Sequence, residues 1–235
     1  DGINLVAQTW GRANLTQGDC IVLTRMEHHS NIVPWQMLAQ ERGVEVLVVE
    51  LNEDGTLDGD MFEAHLAREP KLVAFTHVSN ALGTVNDVKT WTKRAHDVGA
   101  TVLVDGAQAV PHLAVDVRDL DVDFYTFSGH KTYGPTGIGI LYGKEALLDA
   151  MPPWRGGGEM IDTVSFEKGT TFNELPYKFE AGPPHISGGI ALGASLDWMN
   201  EVGLAALTGH EHVLTTHAPY VLSDIHGLTF YGTAP

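Results

Sequence analysis

The sequence predicts an α/β protein whose core is a mostly parallel β-sheet flanked by helices. Apolar, strand-like segments alternate with longer helix-like segments over residues 20–150 of the 235-residue chain. Several of the apolar segments are apolar throughout and do not alternate with polar residues, which is typical of strands covered on both faces. Strands interleaved with helices in this way indicate parallel pairing, because a helix carries the chain back to the start of the next strand.

Each strand is predicted from an apolar run, and each helix from the mixed segment that follows it. CIVLT begins the sheet, VEVLVVEL and KLVAFTHV continue it, and GIGILYGKEALLDA adds one more strand and a helix. The predicted strands lie within residues 20–24, 44–51, 71–78, 101–109, 123–131 and 137–150. The predicted helices between them lie within residues 31–43, 58–69 and 87–100.

The second half of the chain has a different texture. Residues 152–185 are rich in glycine, proline and isolated aromatic residues without a period, which predicts a long ordered loop. Residues 186–227 contain two helix-like segments, and the final run LTFYGTAP looks like a strand. We assign residues 1–200 to a large domain and residues 201–235 to the start of a second domain.

Composition and charge argue against several classes of function. Thirty acidic against 14 basic side chains give a formal net charge of −16, which disfavours nucleic acid because phosphates attract clustered lysine and arginine. No apolar run reaches the roughly 20 residues that a membrane helix needs. The single cysteine, Cys20, is expected to be buried and fits a reducing, cytoplasmic compartment. The 12 histidines do not fall into a ligand spacing, so no metal site is predicted.

Chemically versatile side chains follow the predicted strands at the points where the strands end. The carboxyl ends of parallel strands meet at one edge of the sheet, and α/β proteins bind ligands there. Acid, amide, imidazole, hydroxyl and amine groups are all expected at this edge, whereas the strand interiors carry almost no polar group. The residues are Glu27, His28, His29, His77, Ser79, Asn80, Asp105, Gln108, Ser128, His130 and Lys131.

Each of these residues also has a purely structural interpretation. Asp105 could cap a helix, and Ser128 and Asn80 could be ordinary turn residues. Lys131 alone could be a solvated lysine in a turn, and His28 could be a hydrogen-bonded loop histidine. The glycine-rich segment after Lys131 lacks the Gly-Lys-Ser/Thr ending of a nucleotide-binding loop.

The combination fits pyridoxal phosphate better than these separate interpretations do. Lys131 can supply the amine that forms an imine with the cofactor aldehyde. Asp105 can keep the pyridine nitrogen protonated, which makes the ring electron-withdrawing. Ser128 and His130 can donate hydrogen bonds to the phosphate, and an imidazole such as His28 can stack on the ring.

Several stretches that together cover nearly the whole chain carry a resemblance to a known family. They are MEHHSNIVPWQ (26–36), THVSNALGT (76–84), VLVDGAQAVPH (102–112), DFYTFSGHKTYGPTGIGILYG (123–143), MPPWRGGGEMI (151–161) and FEAG (179–182). Their combination resembles the SufS-type, group II cysteine desulfurases of the class V aminotransferase family. The resemblance implies a pyridoxal phosphate enzyme of fold type I. Its large domain would have a mixed sheet of the seven-stranded type, followed by the start of a small α+β domain.

The resemblance also implies which residues hold the cofactor. Lys131 is implied to be the Schiff-base lysine, and Asp105 to pair with the pyridine nitrogen. Gln108 is implied to contact the phenolic oxygen of the ring. Ser128 and His130 are implied to hold the phosphate.

The reaction and the assembly follow from the same resemblance. Sulfur from L-cysteine, or selenium from L-selenocysteine, is removed to leave L-alanine, and the sulfur passes to an acceptor for iron–sulfur cluster assembly. His28 is implied to stack on the ring and shuttle protons, and Asn80 to help hold the substrate carboxylate. The segment GGGEMI belongs in the family to a hairpin that reaches the partner subunit's site, which implies a homodimer with the active site at its interface.

The sequence departs from the family pattern at several points. The persulfide-forming cysteine and the substrate-binding arginine are expected beyond Pro235, and Cys20 does not occupy the position of the nucleophile. The paired threonines that contact phosphate would fall before Asp1. Pro183 stands where many relatives have a threonine, and it has neither a hydroxyl nor a backbone N–H to donate. We therefore expect a chain truncated at both ends and inactive by itself.

Two other functions stay open at this point. Another class V enzyme, such as an aminotransferase, a cysteine sulfinate lyase or a selenocysteine lyase, would use the same cofactor residues. A non-catalytic scaffold or partner-binding module could keep the fold without the chemistry, although the complete set of cofactor residues weighs against it.

Overall fold

The computed structural model describes residues 1–232 and 234 and is built on a mixed β-sheet. The strands pair in the order β2-β1-β3-β4-β5-β6, with β1 to β5 parallel and β6 antiparallel to β5. They are β1 (Cys20–Thr24), β2 (Glu45–Val49), β3 (Leu72–Thr76), β4 (Thr101–Asp105), β5 (Phe124–Ser128) and β6 (Gly139–Gly143). The predicted α/β class and the mostly parallel sheet are confirmed. The resemblance implied a sheet of the seven-stranded type. The described residues form six strands of the main sheet, and their other segments form helices, loops and a separate hairpin.

Helices connect β1 to β2, β2 to β3 and β3 to β4, as predicted. The chain begins with α1 (Gly2–Val6), which continues through a π-helical turn (Ala7–Gly11) into α2 (Arg12–Asn14). The later helices are α3 (Val33–Arg42), α4 (Gly59–Leu66), α5 (Val88–Asp97), α6 (Glu145–Ala150), α7 (Ile186–Val202) and α8 (Leu204–Leu222). The Asp58 and Asp87 carboxylates cap α4 and α5 by accepting from backbone N–H groups, which explains why these helices begin where they do.

The core lies on both faces of the sheet, as the uninterrupted apolar runs predicted. Successive residues of each strand point to opposite faces, so one run supplies two separate cores. One face packs with α4 and α5 and includes Val22, Val73, Phe75, Val102, Val104, Phe62, Leu66 and Ala95. The other packs with the N-terminal helices and α3 and includes Ile21, Leu23, Leu72, Ala74, Leu103, Phe124, Trp10, Trp35 and Leu38. Cys20 is buried as expected, and burial raises the pKa of its thiol.

The prediction of a loop over the whole of residues 152–185 is wrong. An antiparallel hairpin forms there from β7 (Ile161–Ser165) and β8 (Gly169–Phe172). Gly169, with φ of 82°, takes the left-handed conformation at the turn. Most hairpin side chains are exposed, so the segment carries no alternation of buried and exposed residues that would have revealed its strands. The hairpin agrees with the one that the family resemblance implied for this region.

The C-terminal run also differs from its prediction. Residues 228–232 form no strand, because no strand of the described residues lies beside them to pair with. Residues 233 and 235 of this run lie outside the described part of the chain. Gly203, with φ of 85°, separates α7 from α8 close to the domain boundary expected at residue 200.

Candidate active site

Four neighbouring parallel strands end at one edge of the sheet. Thr24, Thr76, Asp105 and Ser128 are the last residues of β1, β3, β4 and β5, and Asp105 pairs directly with Thr76 across the β3–β4 register. The polar edge predicted from the sequence therefore forms. The predicted site residues all lie on these strand ends or in the turns that follow them.

Lys131 lies at the end of a tight 3₁₀ turn that directly follows β5. The Gly129 carbonyl accepts from the N–H groups of Thr132 and Gly134, both at 2.9 Å, and the Thr132 hydroxyl donates to the Ser128 carbonyl at 3.1 Å. A Cβ at Gly134 would lie 2.9 Å from the Gly129 oxygen, so the turn closes only around glycine here. Lys131 is half-buried, and its amine forms no hydrogen bond or ion pair within residues 1–232 and 234. The turn therefore presents an uncommitted amine at the edge of the sheet.

Asp105 is a buried carboxylate that lacks a cationic partner in the described part of the chain. Its side chain is 5% exposed. Its Oδ1 accepts from the Ala107 N–H at 3.0 Å, and its Oδ2 lies 3.5 Å from the Ser30 hydroxyl. Because a buried charge without a partner is costly, this oxygen suits a protonated nitrogen of a bound ligand.

His28 and Asp105 lie on either side of the Ser30 hydroxyl. The His28 Nδ1 lies 2.8 Å from the Ser30 hydroxyl and accepts from the Ser30 N–H at 3.2 Å. Because Nδ1 is an acceptor, a neutral His28 ring carries its proton on Nε2. No sequence pattern pointed to Ser30, since a serine in a turn is ordinary. Its place between His28 and Asp105 depends on a contact between residues 75 positions apart.

Four of the remaining predicted residues, Ser128, Gln108, His130 and Asn80, lie at the same edge and form no side-chain hydrogen bonds among the described residues. Ser128 and Gln108 are half-buried, whereas His130 and Asn80 are exposed. Asn80 lines an open cavity of about 340 Å³ together with Ser79, Glu27, His28 and His29. The ends of β1 and β4 thus meet at the Ser30 hydroxyl, which lies beside both His28 and Asp105. The structure places the other groups around them.

A buried tyrosine and histidine lie beneath Asp105. The His77 Nδ1 is 2.9 Å from the Tyr125 hydroxyl, and the His77 N–H donates to the Asp105 carbonyl at 2.9 Å. Burial lowers the pKa of His77, and burial together with Asp105 raises the pKa of Tyr125, so both side chains are neutral near pH 7. The Tyr125 ring fills the space beside Gly106, where any Cβ would overlap it. Tyr125 was not identified from the sequence, because it occurs within an apolar run and looks like a core residue.

We expect Gly106→Ala to lower the free energy of unfolding by roughly 3 kcal/mol, because the added methyl overlaps a ring that is itself fully packed. Urea unfolding followed by circular dichroism measures this loss. Gly189→Ala is the matched control, since a Cβ at Gly189 in α7 meets nothing within 4 Å. The control should be neutral or stabilising by about 0.5–1 kcal/mol, as alanine is favoured over glycine inside a helix. Equal effects of the two substitutions would contradict the packing described for Tyr125.

Glu27, which directly precedes His28 in the chain, is buried. Burial raises the pKa of its carboxyl to about 7. Hydrogen bonds from Thr24, Asn31 and Thr76 lower the pKa and offset part of that rise, whereas the negative charge of Asp105 adds to it. The sequence placed Glu27 at this edge without assigning it a role, because only the folded structure shows the donors around it.

Two kinds of feature are absent from the part of the chain that the structure describes. No cluster of three or more histidine, cysteine or acidic side chains is arranged to hold a metal ion in residues 1–232 and 234. No described helix combines the length and the apolar character required to cross a membrane.

The aminotransferase class-V family model matches residues 1–235. This chain belongs to that family. It is 54% identical over 234 residues to a cysteine desulfurase of Serratia proteamaculans (strain 568), an alignment that covers 100% of this chain and 58% of that protein. It is 53% identical over 232 residues to a cysteine desulfurase of Enterobacter sp. (strain 638), covering 99% of this chain and 57% of that protein. The chain thus spans somewhat more than half the length of these curated relatives.

Solved structures of related proteins share the fold. The cysteine desulfurase CsdA of Escherichia coli, in its S-sulfonic acid form, superposes with a TM-score of 0.93 at 42% identity, covering 96% of this chain and 56% of that one. A mutant of C-DES with glycine covalently linked to its PLP cofactor superposes at 0.72 and 27% identity, covering 86% of this chain and 54% of that one. The expected fold and the resemblance to cysteine desulfurases are confirmed. The assignment to group II stays a prediction.

Proposed function

We propose that this chain carries the cofactor site of a pyridoxal phosphate-dependent cysteine desulfurase. The observation that carries this proposal is that, among the described residues, a carboxylate without a cation and an amine without a partner lie at the ends of neighbouring strands. Asp105 at the end of β4 is a buried carboxylate without a cation, and Lys131 after β5 is an amine without a partner, both within the described residues. When bound, pyridoxal phosphate supplies an electron-withdrawing ring that stabilises negative charge on the substrate α-carbon.

The residues present fit this cofactor by the chemistry of their donor set. Lys131 would supply the amine that holds the cofactor aldehyde, and Asp105 would accept from the protonated ring nitrogen. Ser128 and His130, beside Lys131 in the chain, donate to the phosphate, and Gln108 donates to the phenolic oxygen. Asp105 accepts from the Ala107 N–H with Oδ1, so its Oδ2, 3.5 Å from the Ser30 hydroxyl, would be the oxygen that accepts from the ring nitrogen.

His28 and Asn80 are proposed to act on the substrate side. Both line the open cavity at the ends of β1 and β3. His28 would lie against the ring and would exchange a proton at Nε2, because its Nδ1 accepts from Ser30. The Asn80 amide helps hold the substrate carboxylate. L-Cysteine is the proposed substrate, since the curated relatives described above are named cysteine desulfurases.

The assembly belongs to the same proposal. We propose a cytoplasmic homodimer in which the β7–β8 hairpin reaches the partner subunit's site, since hairpin side chains such as Val164, Phe166 and Phe172 are exposed. The sulfur passes to an acceptor protein for iron–sulfur cluster assembly. The division into a large domain over residues 1–200 and a second domain from residue 201 completes the proposal.

Alanine release from three substrates tests the proposed reaction. We expect the full-length gene product with pyridoxal phosphate to release alanine from L-cysteine, and the acceptor or a thiol reductant to sustain turnover. L-Cysteine sulfinate and L-selenocysteine are the comparison substrates. Alanine released only from the sulfinate, or transfer of the amino group to a keto acid, would assign the chain to another class V activity.

A further inference from the structure

We propose that Glu27 is a positioning residue that fixes the turn carrying His28 against the edge of the sheet. Within that turn, the Asn31 side-chain amide is its hydrogen-bond donor. Glu27 is 7% exposed, and each of its carboxylate oxygens accepts a hydrogen bond. Its Oε1 accepts from the Thr76 N–H at 3.0 Å and from the Thr24 hydroxyl, and its Oε2 accepts from the Asn31 side-chain amide at 2.7 Å. The purpose of this positioning rests on the proposed function, whereas the hydrogen-bond network does not.

The three donors come from three different elements. Thr24 ends β1, Thr76 ends β3, and Asn31 ends the 3₁₀ turn that His28 caps. Glu27 therefore ties the turn to two strand ends at the point where it leaves the sheet. Because Glu27 directly precedes His28, a shift of its carboxylate also moves the imidazole.

The orientation of Asn31 requires a carboxylate at position 27. The Trp35 indole N–H, which can only donate, lies 2.9 Å from the Asn31 Oδ1. The amide oxygen must therefore face Trp35, and the amide NH₂ must face Glu27. Donors then face both oxygens of Glu27, and a glutamine there would point its own NH₂ at either Asn31 or the Thr76 N–H. An isosteric amide cannot satisfy this arrangement.

The burial of Glu27 indicates that the residue serves position and not stability. None of its three hydrogen-bond partners carries a positive charge, and Asp105 adds a second negative charge nearby. Burial raises the pKa of Glu27, the charge of Asp105 adds to that rise, and the three hydrogen bonds offset only part of it, so the carboxylate form is costly in the folded protein. In return, the carboxylate of Glu27 holds the turn in place, and the Ser30 hydroxyl of that turn lies 3.5 Å from Asp105.

Exchanging the two functional groups tests this proposal. Glu27→Gln places two NH₂ groups against each other, and Asn31→Asp places two carboxylates against each other. In the double variant the new amide donates to the new carboxylate, while Thr76 and Trp35 keep an acceptor each. The exchange conserves net charge and side-chain size, so only the complementarity of the pair changes.

The full-length protein is titrated with pyridoxal phosphate at about pH 8, where Glu27 is ionised. We expect the dissociation constant to rise roughly tenfold in each single variant, because Glu27→Gln leaves a buried donor without an acceptor and Asn31→Asp sets two buried carboxylates against each other. The visible circular dichroism of the bound cofactor should weaken in parallel, because it reports how the ring is held. Both should return to within about threefold of wild type in the double variant.

Hydrogen exchange of the cofactor-free protein gives a second, independent result. Backbone amides in residues 25–36 should exchange roughly tenfold faster in each single variant and return to the wild-type rate in the double variant. Asp123→Asn is the control for general destabilisation. Asp123 is a buried carboxylate at the opposite edge, where it accepts from the Val102 N–H at 2.8 Å. This control should lower the melting temperature and leave cofactor affinity unchanged.

The outcomes separate this proposal from the proposed function. The role of Glu27 would be overturned by a double variant that binds pyridoxal phosphate no more tightly than the single variants and whose amides in residues 25–36 exchange no more slowly. Single variants that match wild type in both measurements would overturn it too. If wild type itself binds no pyridoxal phosphate at Lys131, the proposed function fails, and the hydrogen-exchange result alone then decides for or against the positioning of the turn.

Discussion

Lys131→Ala is expected to abolish the visible absorption band that pyridoxal phosphate gives on the wild-type protein. The alanine side chain has no nitrogen, and Lys131 supplies the amine at this edge that has no other partner in the described part of the chain. Alanine release from L-cysteine should fall by roughly four orders of magnitude or more, the scale seen when a covalent catalytic residue is removed. Absorption spectroscopy and a single-turnover assay on the full-length protein measure the two effects.

Lys93→Ala is the matched control for this substitution. Lys93 is an exposed lysine on α5, paired with Asp97 at 2.8 Å, so its loss removes the same charge far from the strand edge. The control should keep both the band and the turnover. A band that persists in Lys131→Ala, or a wild-type protein that stays colourless with the cofactor, would favour the non-catalytic scaffold over the enzyme.

Asp105→Asn is expected to lower turnover by roughly a hundredfold to a thousandfold while the cofactor stays bound. The amide keeps an acceptor for the Ala107 N–H, so the local backbone is preserved. It removes the negative charge that holds the proton on the ring nitrogen, and losing one partner of a buried charge pair costs about 2–5 kcal/mol. Steady-state alanine release measures turnover, and the absorption band reports retention of the cofactor.

The same variant separates the two interpretations of Asp105. Asparagine caps a helix about as well as aspartate, so a purely structural Asp105 would tolerate the change. Asp58→Asn is the control, since the Asp58 Oδ1 accepts from the Met61 N–H at 2.9 Å as the cap of α4. We expect full activity from Asp58→Asn. Full activity from Asp105→Asn as well would show that the negative charge of Asp105 has no part in the proposed mechanism.

The sheet could be predicted because its strands are buried on both faces. An apolar run such as 72–76 has no alternative to the core, and its following helix reveals the parallel direction. The β7–β8 hairpin could not be predicted from periodicity, because it has no buried face and its threonines are exposed. The run at 228–232 has the composition of a strand, but a strand also needs a neighbour, which composition does not show.

The sequence predicts only those site residues whose position follows from the order of the strands along the chain. Lys131 and Asp105 stand out as charged groups directly after apolar runs, so their position at the edge follows from parallel pairing. Ser30 and Tyr125 act through contacts with Asp105 and His77, which lie 75 and 48 positions away. Such contacts depend on the order β1-β3-β4-β5 in the sheet, and no local pattern encodes that order.

Reduction with borohydride followed by peptide mapping tests the central claim most directly. The wild-type protein is incubated with pyridoxal phosphate, reduced, digested and mapped by mass spectrometry. We expect the cofactor mass on the single peptide that contains Lys131, at a stoichiometry near one per chain. Label spread over exposed lysines such as Lys93 and Lys168, or no label at all, would contradict the assignment of Lys131 and with it the proposed cofactor site.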